Sequence, residues 1–271
     1  MSEPLIECTG VSAGYGDVKI LEDISLTIER GEIVALLGGS GSGKSTLLRA
    51  LTGLQPPQTG EVKLFGESLY ELEQRERDVL LRRTGMLFQQ DALFGSMTIM
   101  ENVVLPLREL TRLPEAVMAE MARMKLALVG LAGLEDRMPS QLSGGQRKRA
   151  ALARASVLDP EIIFCDEPSA GLDPVVAAEI DEALKRFRDV FHITIVAVTH
   201  ELESIKSIAD RAIMLGRGTV CAVGTIDELS QSEDPDVYNF FHRLPRDRVY
   251  QAPGELAVVA EPTAEAVTEP G

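Results

Sequence analysis

Three short runs of unbroken apolar residues organise this chain. Ile33–Leu37, Ile162–Cys165 and Ile193–Val198 show no alternation with polar positions. That is the pattern of strands buried on both faces of a parallel sheet. Nearer the N-terminus Ile24, Leu26 and Ile28 alternate with Ser25 and Thr27, the period-2 pattern of a half-buried strand. Residues 1–35 read as β-rich, with a turn at Glu29–Glu32, and Gly60–Phe65 predicts another strand ended by Gly66. Helical character appears over Thr46–Leu54 and through most of Leu93–Leu158, where Met and Ala are frequent. Ala177, Ile180, Leu184 and Phe187 define one apolar helix face, preceded by the N-cap and proline pair Asp173-Pro174. A further helix, a short strand and the Gly216-Arg217-Gly218 turn close the core near residue 235. Strands alternating with helices predict an α/β fold with a largely parallel sheet, and the helical middle reads as an insertion into it.

Composition narrows what such a fold can bind. The 271 residues suit one or two domains, and 45% hydrophobic with 25% charged residues is globular composition. Lys+Arg 27 against Asp+Glu 42 leaves a formal charge of −15. That excludes nucleic acid as a partner held by the overall field, so a phosphate ligand must be held by local geometry. No apolar stretch approaches the roughly 18 residues of a membrane span. The N-terminus, with Glu3 and Glu7, does not read as a signal peptide. Cys8, Cys165 and Cys221 are too scattered for a metal site or a disulfide framework, which fits a reducing cytosol. Beyond a domain at 1–235, residues 236–250 form an extension carrying Tyr238, Phe240, Phe241 and Tyr250. Two readings of it stay open: it completes the chain's own core, or it contacts a partner such as a second copy. Residues 251–271, with four Glu, three Pro and no Lys or Arg, are expected to lack order.

Two motifs bring phosphate chemistry. Gly38-Gly39-Ser40-Gly41-Ser42-Gly43-Lys44-Ser45, followed by Thr46, matches G-x-x-x-x-G-K-[ST] between an apolar strand and a helix. Its glycines let backbone N–H groups turn inward around phosphate oxygens, and the helix N-terminus adds its dipole. Lys44 is placed to reach the β- and γ-phosphates of a nucleotide such as ATP, and Ser45 to coordinate Mg²⁺. The strand Ile162–Cys165 runs into Asp166-Glu167. Their side chains diverge if the strand continues, so Asp166 suits the Mg²⁺ shell and Glu167 a general base on the attacking water.

Leu142-Ser143-Gly144-Gly145-Gln146, some twenty residues before that acid pair, makes the set resemble the ATP-binding-cassette (ABC) ATPases over roughly residues 5–232. The resemblance implies a P-loop ATPase with a RecA-like parallel core, an N-terminal antiparallel β subdomain and an inserted helical subdomain at about 90–158. It implies that Ser143, Gly144, Gly145 and Gln146 cap the γ-phosphate of ATP held by a second copy of the chain. It further implies that Tyr15 stacks on adenine, that Gln89 senses Mg²⁺ and the attacking water, and that His200 contacts the γ-phosphate. Gln90 stays open as an alternative to Gln89. Ser169–Asp173 is similar to the loop that crosses the dimer interface. Arg147, Lys148, Arg149 and Arg154 form a basic stretch on the helix after the glycines, either attracting the nucleotide or simply facing solvent.

Asp91-Ala92-Leu93-Phe94, Glu101-Asn102-Val103 and Leu105-Pro106-Leu107-Arg108-Glu109 are similar to the ATPases of Mla/Mce-type lipid transporters. That likeness implies a permease partner, a lipid-binding Mce-domain protein, and a place at the cytoplasmic face of a bacterial inner membrane. Gln146 departs from the methionine common in that group. A small-solute importer ATPase, or an ABC ATPase outside transport, is the alternative.

Overall fold

The computed structural model describes residues 4–244 and the backbone of 248–250 and 256–258. A hairpin of β1 (Ile6–Tyr15) and β2 (Val18–Ile28) opens the fold. β3 (Ile33–Leu37) then runs through a glycine-rich loop into α1 (Lys44–Leu51). β4 (Thr59–Leu64) and β5 (Glu67–Ser68) return to the hairpin, followed by α2 (Gln74–Leu81) and β6 (Thr84–Leu87). The helical region holds α3 (Ile99–Leu110), α4 (Glu115–Leu128) and α5 (Gly144–Ser156). β7 (Ile162–Asp166), α6 (Pro174–Phe191), β8 (Thr194–Val198), α7 (Leu202–Ile208), β9 (Arg211–Gly216) and β10 (Thr219–Gly224) complete the alternation. The small helices α8 (Ile226–Ser230) and α9 (Pro235–His242) come last, before the strands β11 (Arg248–Tyr250) and β12 (Leu256–Val258).

Two sheets carry the structure. One is antiparallel, in the order β2-β1-β4-β5; the other has the order β10-β9-β3-β8-β7-β6, parallel except for β10. The three apolar runs are its central strands, and all five residues of β3 and β8 are buried. Alternate residues serve different layers. Ile33, Ile163, Cys165 and Ile195 face the core built with α3–α6, while Val34, Leu36, Phe164 and Val196 face α1 and the antiparallel sheet. Burial on both faces is why these runs show no polar alternation. Each large apolar side chain so buried contributes on the order of 1.5–3 kcal/mol.

The first helix begins at Lys44 and stops at Leu51, earlier than the pattern over 46–54 suggests, because Gly53 (φ 76) turns the chain left-handed just beyond its end. α3 keeps Pro106 in its interior. The fully buried Asn102 helps fasten its first turn: Asn102 Nδ2 donates to the carbonyls of Phe94, Met97 and Thr98, and its Oδ1 accepts from Phe94 N. α9 answers the question about the aromatic extension in part. Val237 and Phe241 are buried with Ala35, Leu37, Leu202, Ile205 and Met214, and Phe240 packs against them. These residues complete the chain's own core. Within 251–271, where no order is expected, Leu256–Val258 pairs antiparallel with Arg248–Tyr250; the rest of that stretch lies outside the described residues.

Candidate active site

The sheet order sets the site. β3, β8 and β7 are adjacent and parallel, with β6 beside β7. Their C-terminal ends therefore deliver the glycine loop, Thr199-His200, Asp166-Glu167 and Phe88-Gln89 to one edge of the sheet. Ligands of open α/β sheets bind at that edge.

The loop 38–43 is built around glycine for physical reasons. Gly38 has φ 143, and a Cβ there would lie 2.3 Å from Leu215 O. At Gly43 (φ 100) a Cβ would meet Leu21 Cδ2 at 2.3 Å. The curled backbone surrounds Lys44, whose Nζ donates to the carbonyls of Gly38 (2.8 Å) and Gly39 (3.0 Å). Burial pushes the Lys44 ammonium below its usual pKa, while Glu167 and Asp166 pull it back up. Ser40 and Ser45 are exposed and Thr46 is buried. Ser42 Oγ is buried without a hydrogen-bond partner among the described residues, so the loop holds donor capacity that these residues do not use.

At the neighbouring strand the two acids are set apart by backbone geometry rather than by strand alternation. β7 ends at Asp166, and Glu167 adopts φ 50. This corrects the expectation that the strand carries both acids. Burial, then the Glu167 charge, raise the Asp166 pKa against the pull of Arg49, Lys148 and Lys44. Glu167 N donates to Val198 O (2.8 Å), and Glu167 Oε1 lies 2.7 Å from His200 Nδ1. The other carboxylate oxygen, Oε2, is buried and has no hydrogen-bond partner among the described residues. Ser169 Oγ, at the start of the following loop, is likewise buried without a hydrogen-bond partner among the described residues.

Tyr15 sits at the end of β1, 46% exposed, and its hydroxyl accepts from Arg49 Nη1 on α1. Gln89 and Gln90 are both exposed just after β6. Ser143 is the N-cap of α5. Its Oγ accepts from Gln146 N (3.2 Å) and Gln146 Oε1 accepts from Ser143 N (3.0 Å), a reciprocal capping box. Gly145 packs where a Cβ would lie 2.0 Å from Val176 Cγ1 of α6. Among the described residues, Ser143–Gln146 share no hydrogen bond with residues 38–46 of their own chain.

The basic stretch after the glycines fits neither expectation. Lys148 is 6% exposed and donates to Glu167 O (2.9 Å). Arg147 donates to Leu142 O and faces Asp91 (3.5 Å); Arg149 bonds Val129 O and Glu179. Arg154 donates to the carbonyls of Asp91 and Ala92. These cations are ties between elements. Asp91 and Asn102 stand in the sequence only within the runs that resemble the lipid-transporter ATPases; their ties to Arg147 and to the carbonyls of Phe94, Met97 and Thr98 join parts of the chain that the sequence alone does not bring together.

Two hollows flank the edge. A cleft of about 620 Å³ lies between Gly39–Ser42, Leu215–Arg217 and the α9 residues Asp236, Asn239 and Phe240. An apolar groove of about 450 Å³ is lined by Met86, Phe88, Phe94, Leu105, Pro106 and Leu110.

Known proteins give this geometry a family. The "ABC transporter" family model matches residues 21–170. The Intermembrane phospholipid transport system ATP-binding protein MlaF of Haemophilus influenzae is 41% identical over 240 residues, covering 89% of this chain and 91% of its own length. The "Probable ribonucleotide transport ATP-binding protein mkl" of Mycobacterium tuberculosis is also 41% identical, over 88% of this chain and 66% of its own. Among solved structures, the dimeric post-hydrolysis state of the ATP-binding cassette MJ0796 bound to ADP and Pi superposes with TM-score 0.75 at 32% identity. It covers 82% of this chain and 98% of that one. The family model over residues 21–170, the 41% identity along most of both chains and the shared cassette fold make this chain a member of the ABC transporter family, an ATP-hydrolysing cassette.

Proposed function

We propose that the chain is the motor subunit of a transporter that moves phospholipid, working as two copies beneath a membrane permease. The observation that carries this reading is the 41% identity to a phospholipid-transport ATP-binding protein along about nine-tenths of both chains. The apolar groove beside α3 supports it by offering a seat for a permease helix next to Gln89. The full complex includes a lipid-binding Mce-domain protein and sits at the cytoplasmic face of the inner membrane. In keeping with that division of labour, no described helix is long and apolar enough to cross a membrane.

The residues fit the chemistry. Residues 38–46 bind the triphosphate through backbone N–H groups, with Ser42 Oγ free to donate. Lys44 exchanges the Gly38 and Gly39 carbonyls for the β- and γ-phosphates, gaining a charge-assisted bond. Tyr15 offers its exposed ring to adenine. Ser45, Asp166 and Gln89 supply oxygen donors only, the set a hard ion such as Mg²⁺ prefers. When bound, that ion neutralises charge on the phosphate oxygens. Glu167 Oε2, buried and unpartnered, takes the proton of the attacking water. His200 holds Oε1 in place and presents its ring to the γ-phosphate side. Ser143, Gly144, Gly145 and Gln146 close over ATP on the second copy with the N–H groups of the first turn of α5. Closure shifts the groove and hydrolysis releases it.

The test is reconstitution of the complex in liposomes with a fluorescent phosphatidylethanolamine. ATP-dependent movement of the lipid, lost in Glu167→Gln, is expected. ATP-dependent uptake of ribonucleotide with no lipid movement contradicts the proposal and favours the reading attached to the mycobacterial relative.

A further inference from the structure

We infer that Lys148 is a positioning residue for Glu167: its buried ammonium holds the left-handed peptide on which the carboxylate is mounted. The inference rests on the proposed role of Glu167 as base.

Lys148 lies on α5, five positions beyond the Ser143 N-cap. The single hydrogen bond of its side chain among the described residues is from Nζ to Glu167 O, at 2.9 Å, and the side chain makes no ion pair within 4.0 Å there. Burial depresses its pKa, and the acids around it, Asp91, Glu167, Glu201 and Asp166, only partly restore it. A methionine of similar volume would avoid that desolvation. The ammonium is therefore retained at a cost, and what it does in return is fix one carbonyl.

That carbonyl belongs to a residue needing restraint. Glu167 has φ 50, a left-handed conformation that a non-glycine residue keeps only where the surroundings over-determine it. Glu167 N is held by Val198 O, and Glu167 O by Lys148 and, more loosely, by Ala170 N at 3.3 Å. The same helix restrains the other left-handed turn at this edge. Asp91 (φ 59) and Ala92 (φ 50), just after Gln89-Gln90, have their carbonyls bonded by Arg154. One helix thus fixes both turns and carries Ser143 at its start, so the placement of the base follows the placement of α5.

The experiment compares full-length Lys148→Met, Lys148→Arg and Glu167→Gln for ATP affinity by direct titration and for steady-state turnover. Lys148→Met is expected to lower kcat about tenfold or more, the scale of a displaced catalytic group, with ATP Kd within about threefold. Lys148→Arg, which keeps a cationic donor, is expected to recover at least half of the lost turnover. A kcat for Lys148→Met within threefold of the parent overturns the inference. So does a loss of ATP binding in step with turnover, or a failure of the arginine to rescue. Should Lys148→Met not fold, Lys148→Gln, one bond too short to reach the carbonyl, takes its place with the same expected outcomes. Glu167→Gln separates the two claims. If it is inactive while Lys148→Met is normal, only the positioning role fails; if it turns over within threefold of the parent, the base assignment itself fails.

Discussion

His200 Nδ1 stands 2.7 Å from Glu167 Oε1, and the opposite carboxylate oxygen has no hydrogen-bond partner among the described residues. β8 and β7 are adjacent parallel strands, with Asp166 registered against Val198. The residues two beyond each strand's last apolar position therefore meet across the sheet edge. The histidine side chain is 64% exposed while that of the glutamate is 13% exposed. The imidazole thus engages one oxygen and leaves the other without a hydrogen-bond partner among the described residues. His200→Ala is expected to lower turnover by about tenfold or more, because the carboxylate loses its orienting contact. ATP affinity should stay within about threefold. Parallel ATPase and binding assays check this, and an unchanged kcat would remove His200 from the site.

The capping box at Ser143 and the hydrogen bonds around residues 38–46 do not meet within one chain. On the composite-site account, each ATP is held between the cradle of one copy and Ser143–Gln146 of the other. A Lys44→Ala subunit retains an intact Ser143 surface, and a Ser143→Arg subunit retains an intact cradle. Mixed dimers contain one site with both halves sound and one doubly damaged. Activity above that of either variant alone is expected on mixing. A cysteine cross-link between position 143 and the opposite cradle, formed only with ATP, confirms the shared geometry. No gain in activity together with no cross-link contradicts it.

α9 carries a stability prediction. Phe241 and Val237 are buried against α7 and β9 rather than presented outward. Phe241→Ala should therefore destabilise by about 3–5 kcal/mol, the range for a large buried aromatic. Truncation after Asp236 should lower the melting temperature without changing its dependence on protein concentration. Denaturant unfolding and melts at several concentrations measure both. A truncated chain with the parent's melting temperature would show that α9 is not part of the core.

How much of this was legible in the chain varied with the strength of local signals. The central strands were plain because burial on both faces leaves an unbroken apolar run, and the glycine loop because its φ angles and close contacts exclude side chains. β6 was not. It is four residues long, and Gly85 sits where a Cβ would lie 2.2 Å from Ala155 O. Tight packing against α5 removed the side chain that would have marked the strand. The role of the basic residues on α5 was hidden for a different reason. A Lys148 that donates to a distant carbonyl has the same local sequence as one in solvent, and only the tertiary fold distinguishes them. Gln89 and Gln90 are adjacent, of one residue type and both exposed, so no local signal in the chain distinguishes them.

The most direct test of the account is the Glu167→Gln protein with ATP and Mg²⁺, followed by turnover and by light scattering on a sizing column. Loss of a positioned base costs roughly 10²–10⁴ in rate, about 3–5 kcal/mol of barrier. Turnover should therefore nearly vanish while ATP is still bound, and the protein should accumulate as a dimer holding one nucleotide per chain. Hydrolysis within threefold of the parent, or a protein that binds ATP and stays monomeric at every concentration, would contradict it.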